Sequence, residues 1–528
     1  MLDVLIRSGN VIDGTGTVQN KTDIGIQGER IVEIGNLTDT QAAQTIDATN
    51  LVVCPGFIDM HSHADFTLPG LPTADSKIHQ GITFELVGNC GSSTAPLNDE
   101  MRQEAIENTL LGGDAGLTWE WDTFTSYLDT LRRIGTSVNV GALVGHGTVR
   151  TLAMGMVDSE PTPGQMEIMQ TEVKLAMEAG AFGISTGLIY PPNVYAKTAE
   201  IISLARIAAN YGGIYTSHIR GEGDTVLDAI DEAIRVGREA NIPVQISHLK
   251  AEYRPNWPKM KENLARIEKA RSEGLDVNAD MYPYTACNTG LTSLLPDWAH
   301  VGGRNELMKR LIADGDRARM RSEMSSIATR DAPGYWERTF ISFCAQKPEY
   351  EGHHIQEIAD GMGKLPEDTV MDILLAVSGA AEMIQFLMCE ENVEMGLKYA
   401  QVMIGTDGEG RAAEGLLSSG KPHPRNFGTF PRVLGYYTRE KKILPLEETI
   451  RKMTSLPAAK LHLKDRGTLK KGNYADITIF DPLNVVDKST FTHPQQYPEG
   501  IIHVMVNGKS VINNGVHTRV KPGKIITR

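Results

Sequence analysis

No segment of this chain approaches the roughly 18 to 20 consecutive apolar residues that a membrane span requires. Its amino terminus, Met1-Leu2-Asp3-Val4-Leu5-Ile6-Arg7, carries no basic region followed by a long apolar stretch. Cysteine is scarce: five residues, at 54, 90, 287, 344 and 389, odd in number and without a CxxC pair. That pattern argues against a disulfide framework and suits free thiols in a reducing cytosol, so a cytoplasmic protein is expected. Positive charge is in deficit. Lys+Arg 52 against Asp+Glu 66 gives a formal charge of −14. Such a balance argues against a nucleic-acid or anionic-membrane partner, both of which need clustered positive charge. There is also no internal repeat and no low-complexity tract.

What remains is an ordinary globular composition, with 41% apolar and 22% charged residues over 528 positions. That length accommodates one large α/β domain and a smaller one. The first 50 residues alternate short apolar runs (Val4-Leu5-Ile6, Ile24-Gly25-Ile26, Ile31-Val32) with turn signals, the spacing of an antiparallel β unit. The carboxyl end repeats the pattern through Ile477-Thr478-Ile479-Phe480 and Ile502 to Asn507. The two ends are therefore expected to pair into one β-sandwich, 1–54 with 465–528, around a central domain, 55–464. The centre alternates strand-like and helix-like patterns. Apolar runs lie at 52–58, 82–88, 138–145, 181–188, 213–218, 243–248, 276–282 and 402–406. Between them are helix patterns such as Thr225 to Ala240, where Val226, Leu227, Ile230, Ala233, Ile234 and Arg238 fall near a 3.6-residue period. Eight strands separated by helices predict a (β/α)8 barrel, with a doubly wound open sheet as the alternative. Two stretches, about 288–365 and 408–422, are too long for simple connections and read as an insertion, a lid or substrate loops.

Chemistry-bearing residues gather where those strands end. Val52 to Asp59 leads into His61-Ser62-His63, and side chains two apart on a strand share a face. Two imidazoles there read as half of a metal site, since neutral imidazole is a common zinc ligand; the plain reading is two polar loop residues. The chain has 14 histidines, and His61, His63, His146, His218 and His248 all sit at predicted strand ends. Packing does not explain such clustering. Cys90, between Asn89 and Gly91 at the second strand end, reads as a thiolate ligand in that company rather than a small buried apolar group. Asp407 follows the eighth strand. It reads either as a helix cap or as a carboxylate that touches a metal and accepts a proton from water activated by it.

Together, Pro55-Gly56-Phe57-Ile58-Asp59-x-His61-x-His63, Gly88-Asn89-Cys90-Gly91, Ser185 to Pro192, His218-Ile219-Arg220, Ser247-His248-Leu249-Lys250 and His423 to Arg432 resemble the amidohydrolase superfamily and its N-acyl-D-amino-acid deacylase branch, over essentially the whole chain. The resemblance implies a metal-dependent barrel with His61, His63 and Asp407 at one zinc position and His218 and His248 at another. Cys90 would be shared or lie closest to the second, with one or two zinc ions bound in all. It further implies Lys250, Tyr282 and Asn288 as contacts to a substrate carboxylate and Tyr190 near the scissile amide. The branch often has Ser where this chain has Asn288, and both donate a hydrogen bond. His146 and His423 are expected in structural roles.

The activity so implied is hydrolysis of an N-acyl-D-amino acid, with Asp407 as general base and then acid. The alternative is a cyclic-amide hydrolase of the hydantoinase or dihydroorotase type. Those relatives bridge two metals with a carboxylated lysine on the fourth strand, and Ala181 to Leu188 contains no lysine. A barrel that lost its chemistry would be expected to have lost ligands, and all six are present.

Overall fold

The computed structural model describes residues 1–108 and 119–528, and at its centre short parallel strands follow one another around a ring. They are β1 (Phe57–Asp59), β2 (Ile82–Val87), β3 (Asn139–Ala142, continued by Val144–Gly145), β4 (Gly183–Gly187), β5 (Ile214–His218), β6 (Val244–Ile246), β7 (Val277–Met281) and β8 (Val402–Ile404). Parallel ladders join each strand to the next from β1 to β8. Between β8 and β1 the ring closes through a single parallel bridge, Ser62 to Gly408. This is the (β/α)8 barrel expected from the sequence, not the open sheet.

The strands read as continuous apolar runs because helices cover the outside and side chains fill the inside; every residue of β2 is buried. The helix Val226–Ala240 shows how the outer layer forms. It buries Val226, Ala229, Ile230, Ala233, Ile234 and Val236, and ends at Asn241, whose left-handed backbone (φ 51°) returns its amide to the Gly237 carbonyl. Arg238, expected on the apolar face, is exposed and pairs with Glu273 at 2.6 Å.

The run 52–58 proves to be two strands. Val52–Pro55 pairs with Ile477–Phe480 and with the end of Leu2–Val11, whereas β1 belongs to the barrel. Gly56 separates them because the chain passes so close to Thr83 that a Cβ there would lie 2.2 Å from its side chain. Strand Leu2–Val11 has two partners along one edge, Ala42–Asp47 first and Val52–Pro55 last. The terminal sheet therefore folds over into a β-sandwich enclosing Ile6, Ile24, Ile26, Val53, Ile477 and Ile479.

Two expectations need correction. The terminal unit was expected to take all of 465–528, but the last residues leave it and cross the amino-terminal end of β3. There the Val140 amide donates to the Lys524 carbonyl at 2.9 Å and the Ile526 amide donates to Val140 at 2.8 Å. Gly523 permits the crossing, since a Cβ on it would lie 2.0 Å from the Val138 carbonyl oxygen. The insertion between β7 and β8 also runs beyond residue 365. It forms an antiparallel sheet of Cys287–Gly290, Thr339–Phe343 and Glu382–Gln385 with helices including Asp314–Arg330 and Pro366–Ala376. Its separate core contains Leu307, Met320, Ile341, Val370, Leu374 and Met388. Glu382–Gln385 is only four residues long, too short to register as a strand in the sequence pattern. Among the described residues no helix is long and apolar enough to cross a membrane.

Candidate metal centre

The residues at the carboxyl ends of the barrel strands converge, and their backbone is shaped to let them. Cys90 (φ 53°), His248 (φ 35°) and Asp407 (φ 50°) all occupy the left-handed region, a conformation that costs non-glycine residues energy and collects at functional sites. The glycines beside Cys90 are required by close approach. A Cβ at Gly88 would lie 2.1 Å from the Leu143 carbonyl oxygen, and one at Gly91 would lie 2.3 Å from Asn193 Oδ1.

His61, Cys90, His248 and Asp407 are buried, and each offers a donor atom within 4.8 Å of the others. Cys90 Sγ is 3.3 Å from His61 Nε2 and 3.5 Å from His248 Nε2, and His61 Nε2 is 3.3 Å from Asp407 Oδ1. Ligands about 2.0–2.3 Å from a tetrahedral zinc stand roughly 3.3–3.7 Å apart, so this donor set fits one ion. A second group, His218, Glu222 and His248, shares His248 with the first. His218 Nδ1 is 3.9 Å from Cys90 Sγ, and its Nε2 is a buried nitrogen without a hydrogen bond among the described residues. His63 lies beside the first group, with Nε2 3.1 Å from Asp407 Oδ1 and a side-chain hydrogen bond to Cys90.

Residues that sequence reasoning passed over hold these donors. Asp280, at the end of β7, faces His61 Nδ1 at 3.1 Å through Oδ1, which also accepts from the His248 amide at 2.8 Å. Glu222 Oε1 takes Lys250 Nζ at 2.7 Å and lies 3.0 Å from His248 Nδ1, while Oε2 is 3.4 Å from His218 Nε2. Arg425 donates to Asp407 Oδ2 at 2.6 Å and to the Asn288 carbonyl at 3.2 Å. The available signals were Glu222 four residues after His218, and Arg425 inside the His423 to Arg432 motif.

A cavity of about 660 Å³ opens over the centre, and Lys250, Tyr190, Tyr282 and Asn288 line it with Arg425. The Tyr282 ring lies between Arg425 (5.1 Å) and Lys250 (5.7 Å), and its buried hydroxyl has no hydrogen-bond partner among the described residues. The Tyr190 hydroxyl meets Thr289 Oγ1 at 3.1 Å. The Asn288 side chain is committed, donating to the Met383 carbonyl at 2.9 Å. His146 and His423 are buried away from the donors. His146 faces Glu200 at 2.8 Å and Asn193 at 2.9 Å, and His423 Nε2 is 2.9 Å from the Ala286 carbonyl.

Burial alone would raise the Cys90 thiol, but His61 and His248, with hydrogen bonds from His218 and His248, hold it well below its ordinary value. Burial also opposes ionisation of Asp407; Arg425, His248 and His61 outweigh it and keep the carboxylate well below the usual range. Burial likewise disfavours charged His61, yet Cys90, Asp280 and Asp407 raise it well above normal. The other four thiols, Cys54, Cys287, Cys344 and Cys389, are all pushed up, by burial first of all. Because the thiolate is the nucleophile, iodoacetamide should alkylate Cys90 at least about tenfold faster than the others in chelator-treated protein. Peptide mapping checks this, and faster labelling of Cys54 or Cys344 would contradict the electrostatic argument.

Known proteins resemble this chain over its full length. The sequence profile described as "Amidohydrolase family" matches residues 44–512. D-aminoacylase of Alcaligenes xylosoxydans xylosoxydans is 38% identical over 526 residues, covering 100% of this chain and 98% of the relative. N-acyl-D-glutamate deacylase of the same organism is 36% identical over 527 residues, covering 100% and 97%. The crystal structure of N-acyl-D-glutamate deacylase from Bordetella bronchiseptica, complexed with zinc and a phosphonate inhibitor, superposes with a TM-score of 0.83 at 33% identity over 100% of both chains.

Proposed function

The chain belongs to the amidohydrolase family, and from that membership we propose that it hydrolyses the amide bond of N-acyl-D-amino acids, releasing a D-amino acid and a carboxylate. The observation that carries the reading is the convergence of His61, Cys90, His248 and Asp407 within 4.8 Å at one end of the barrel. Zinc suits that donor set, and His218 and Glu222 offer a second position next to it. When bound, zinc supplies Lewis acidity, polarising a carbonyl and easing the ionisation of water.

The chain's own groups supply the rest. Asp407 Oδ2 is fixed by Arg425, leaving Oδ1 to take a proton from the attacking water and return it to the departing nitrogen. The Tyr282 hydroxyl and the Arg425 and Lys250 cations form the corner suited to the substrate's free carboxylate. Arg425 is the newcomer there, because Asn288 spends its amide on Met383. Tyr190, on the cavity wall near His218, stands beside the scissile amide. The insertion supplies Tyr335, Trp336 and Gln385 to the same wall, so it roofs the cavity as a lid would. A cyclic-amide hydrolase with a carboxylated-lysine bridge is disfavoured because β4 carries no lysine.

The charges of the cavity narrow the substrate further. Glu104, Glu222, Glu252, Glu382, Asp407 and Glu409 line it, against the cations Lys250 and Arg425. Both cations already face carboxylates, and neither Glu252 nor Glu382 has an ion-pair partner among the described residues. Burial raises both of these carboxyls to about 7, so they carry partial negative charge at neutral pH. A second carboxylate on the substrate would enter this field unpaired. With added zinc, N-acetyl-D-amino acids with uncharged side chains should be cleaved with kcat/KM at least about tenfold above N-acetyl-D-glutamate or N-acetyl-D-aspartate. N-acetyl-L-amino acids should be cleaved at least about tenfold more slowly than their D counterparts. Equal or faster turnover of the L series would refute the proposed stereochemistry, and preference for the acidic substrates would refute the charge argument.

A further inference from the structure

The weakest seam of the barrel lies between its last and first strands. All other neighbouring strands share a ladder, but β8 and β1 share only the Ser62 to Gly408 bridge. These are also the strands that lead into His61 and Asp407, whose donor atoms lie 3.3 Å apart. They approach so closely that a Cβ on Gly405 would fall 2.8 Å from His61 Cβ.

A buried side-chain cluster fills the seam. Lys77, in the short helix Asp75–Ile78, is fully buried. Its ammonium donates to Asp59 Oδ2 at 2.9 Å, Ser62 Oγ at 3.0 Å, Thr406 Oγ1 at 2.7 Å and the Gly408 carbonyl at 2.8 Å. Glu85 of β2 stands 3.7 Å away. Asp59 in turn accepts from the His61 amide at 3.2 Å and the Thr406 amide at 2.8 Å through Oδ1. Two backbone bonds complete the set: the Asp407 amide to the His61 carbonyl at 2.7 Å, and the His63 amide to Gly408 at 2.9 Å. Every hydrogen bond of Lys77 therefore lands within two residues of His61 or Asp407. The longer Glu85 contact alone reaches β2, the strand that leads to Cys90, and none lands on the strands that lead to His218 or His248.

We propose that Lys77 is a positioning residue: a buried cation that substitutes for the missing ladder between β8 and β1 and sets the spacing of the His61 and Asp407 donors. This rests on the metal reading given above. It goes beyond that reading in assigning the geometry of one half of the centre to a group that touches neither metal nor substrate. Partners behind metal ligands typically change affinity by about 10–100-fold when removed.

The test is a zinc titration of metal-free protein against a chromogenic chelator in two backgrounds. In His218→Ala, binding rests on His61, Cys90, His248 and Asp407; there Lys77→Met should weaken zinc at least about tenfold. In Asp407→Asn, where the seam no longer presents its carboxylate, Lys77→Met should change the affinity less than about twofold. Because Lys77→Met leaves Asp59 without its cation, Thr406→Val, which removes one of the four ammonium contacts together with the hydroxyl's own bond to Asp59 Oδ2 at 2.6 Å, is measured alongside as a second break in the same network. If Lys77→Met does not fold, a loss with Thr406→Val confined to the His218→Ala background supports the proposal. Unchanged affinity in the His218→Ala background, or equal loss in both, overturns it. A wild-type chain that takes up no zinc would overturn the metal reading itself, a result distinct from either.

Discussion

Replacing Asp407 by Asn should lower kcat by about 10²–10⁴-fold, the contribution of a positioned general base, with zinc supplied at saturation. The substitution conserves shape and removes the charge. Arg425 Nη1 lies 2.6 Å from Oδ2, so the oxygen of the new amide will turn toward the guanidinium and its NH2 will take the place of Oδ1. The atom that faces His63 at 3.1 Å and His61 at 3.3 Å then has hydrogens of its own and accepts no proton. Zinc content measured on the same preparation separates this effect from ligand loss. Full turnover by a zinc-loaded Asp407→Asn enzyme would remove Asp407 from the chemistry.

Glu222→Gln is expected to weaken zinc binding by about 10–100-fold and to lower kcat/KM with it. Glu222 serves three cationic or ring-nitrogen neighbours at once, Lys250, His248 and His218. Burial opposes its ionisation, yet Lys250, His218 and His248 hold its carboxyl far below the normal range. A glutamine keeps one acceptor, loses the charge, and sets an NH2 against a ring nitrogen or the buried ammonium. Removing one partner of a buried ion pair costs about 3–5 kcal/mol, so the Tm should fall as well. Chelator competition reads the affinity and thermal unfolding reads the stability. A variant unchanged in both would show that the His248 ring is held by its packing alone.

The barrel was legible because its strands end abruptly. A buried parallel strand reads as an unbroken apolar run, and the first polar residues after it point into the mouth; His61, Cys90, His218, His248 and Asp407 all stand at such transitions. Their supporting groups gave no comparable signal. Asp280 was visible at a strand end, but nothing local says that it faces His61, across 219 residues of chain. Lys77 was passed over because its partners Asp59, Ser62 and Thr406 come from the first and last strands of the barrel, far apart in sequence. Run 52–58 looked continuous since the break is a single glycine, explained only by its approach to Thr83. The far end of the insertion escaped because its last strand pairs with two segments remote in sequence.

The antiparallel register of Pro55 with Ile477 fixes an order of events at the ribosome. Val52–Pro55 emerges beside Leu2–Val11, but must wait for the whole barrel to be made before its second neighbour, Ile477–Phe480, exists. At about 5–20 residues per second that interval lasts tens of seconds, with an open edge of the kind that recruits foreign strands. The nascent chain is thus vulnerable at that edge until the barrel is complete.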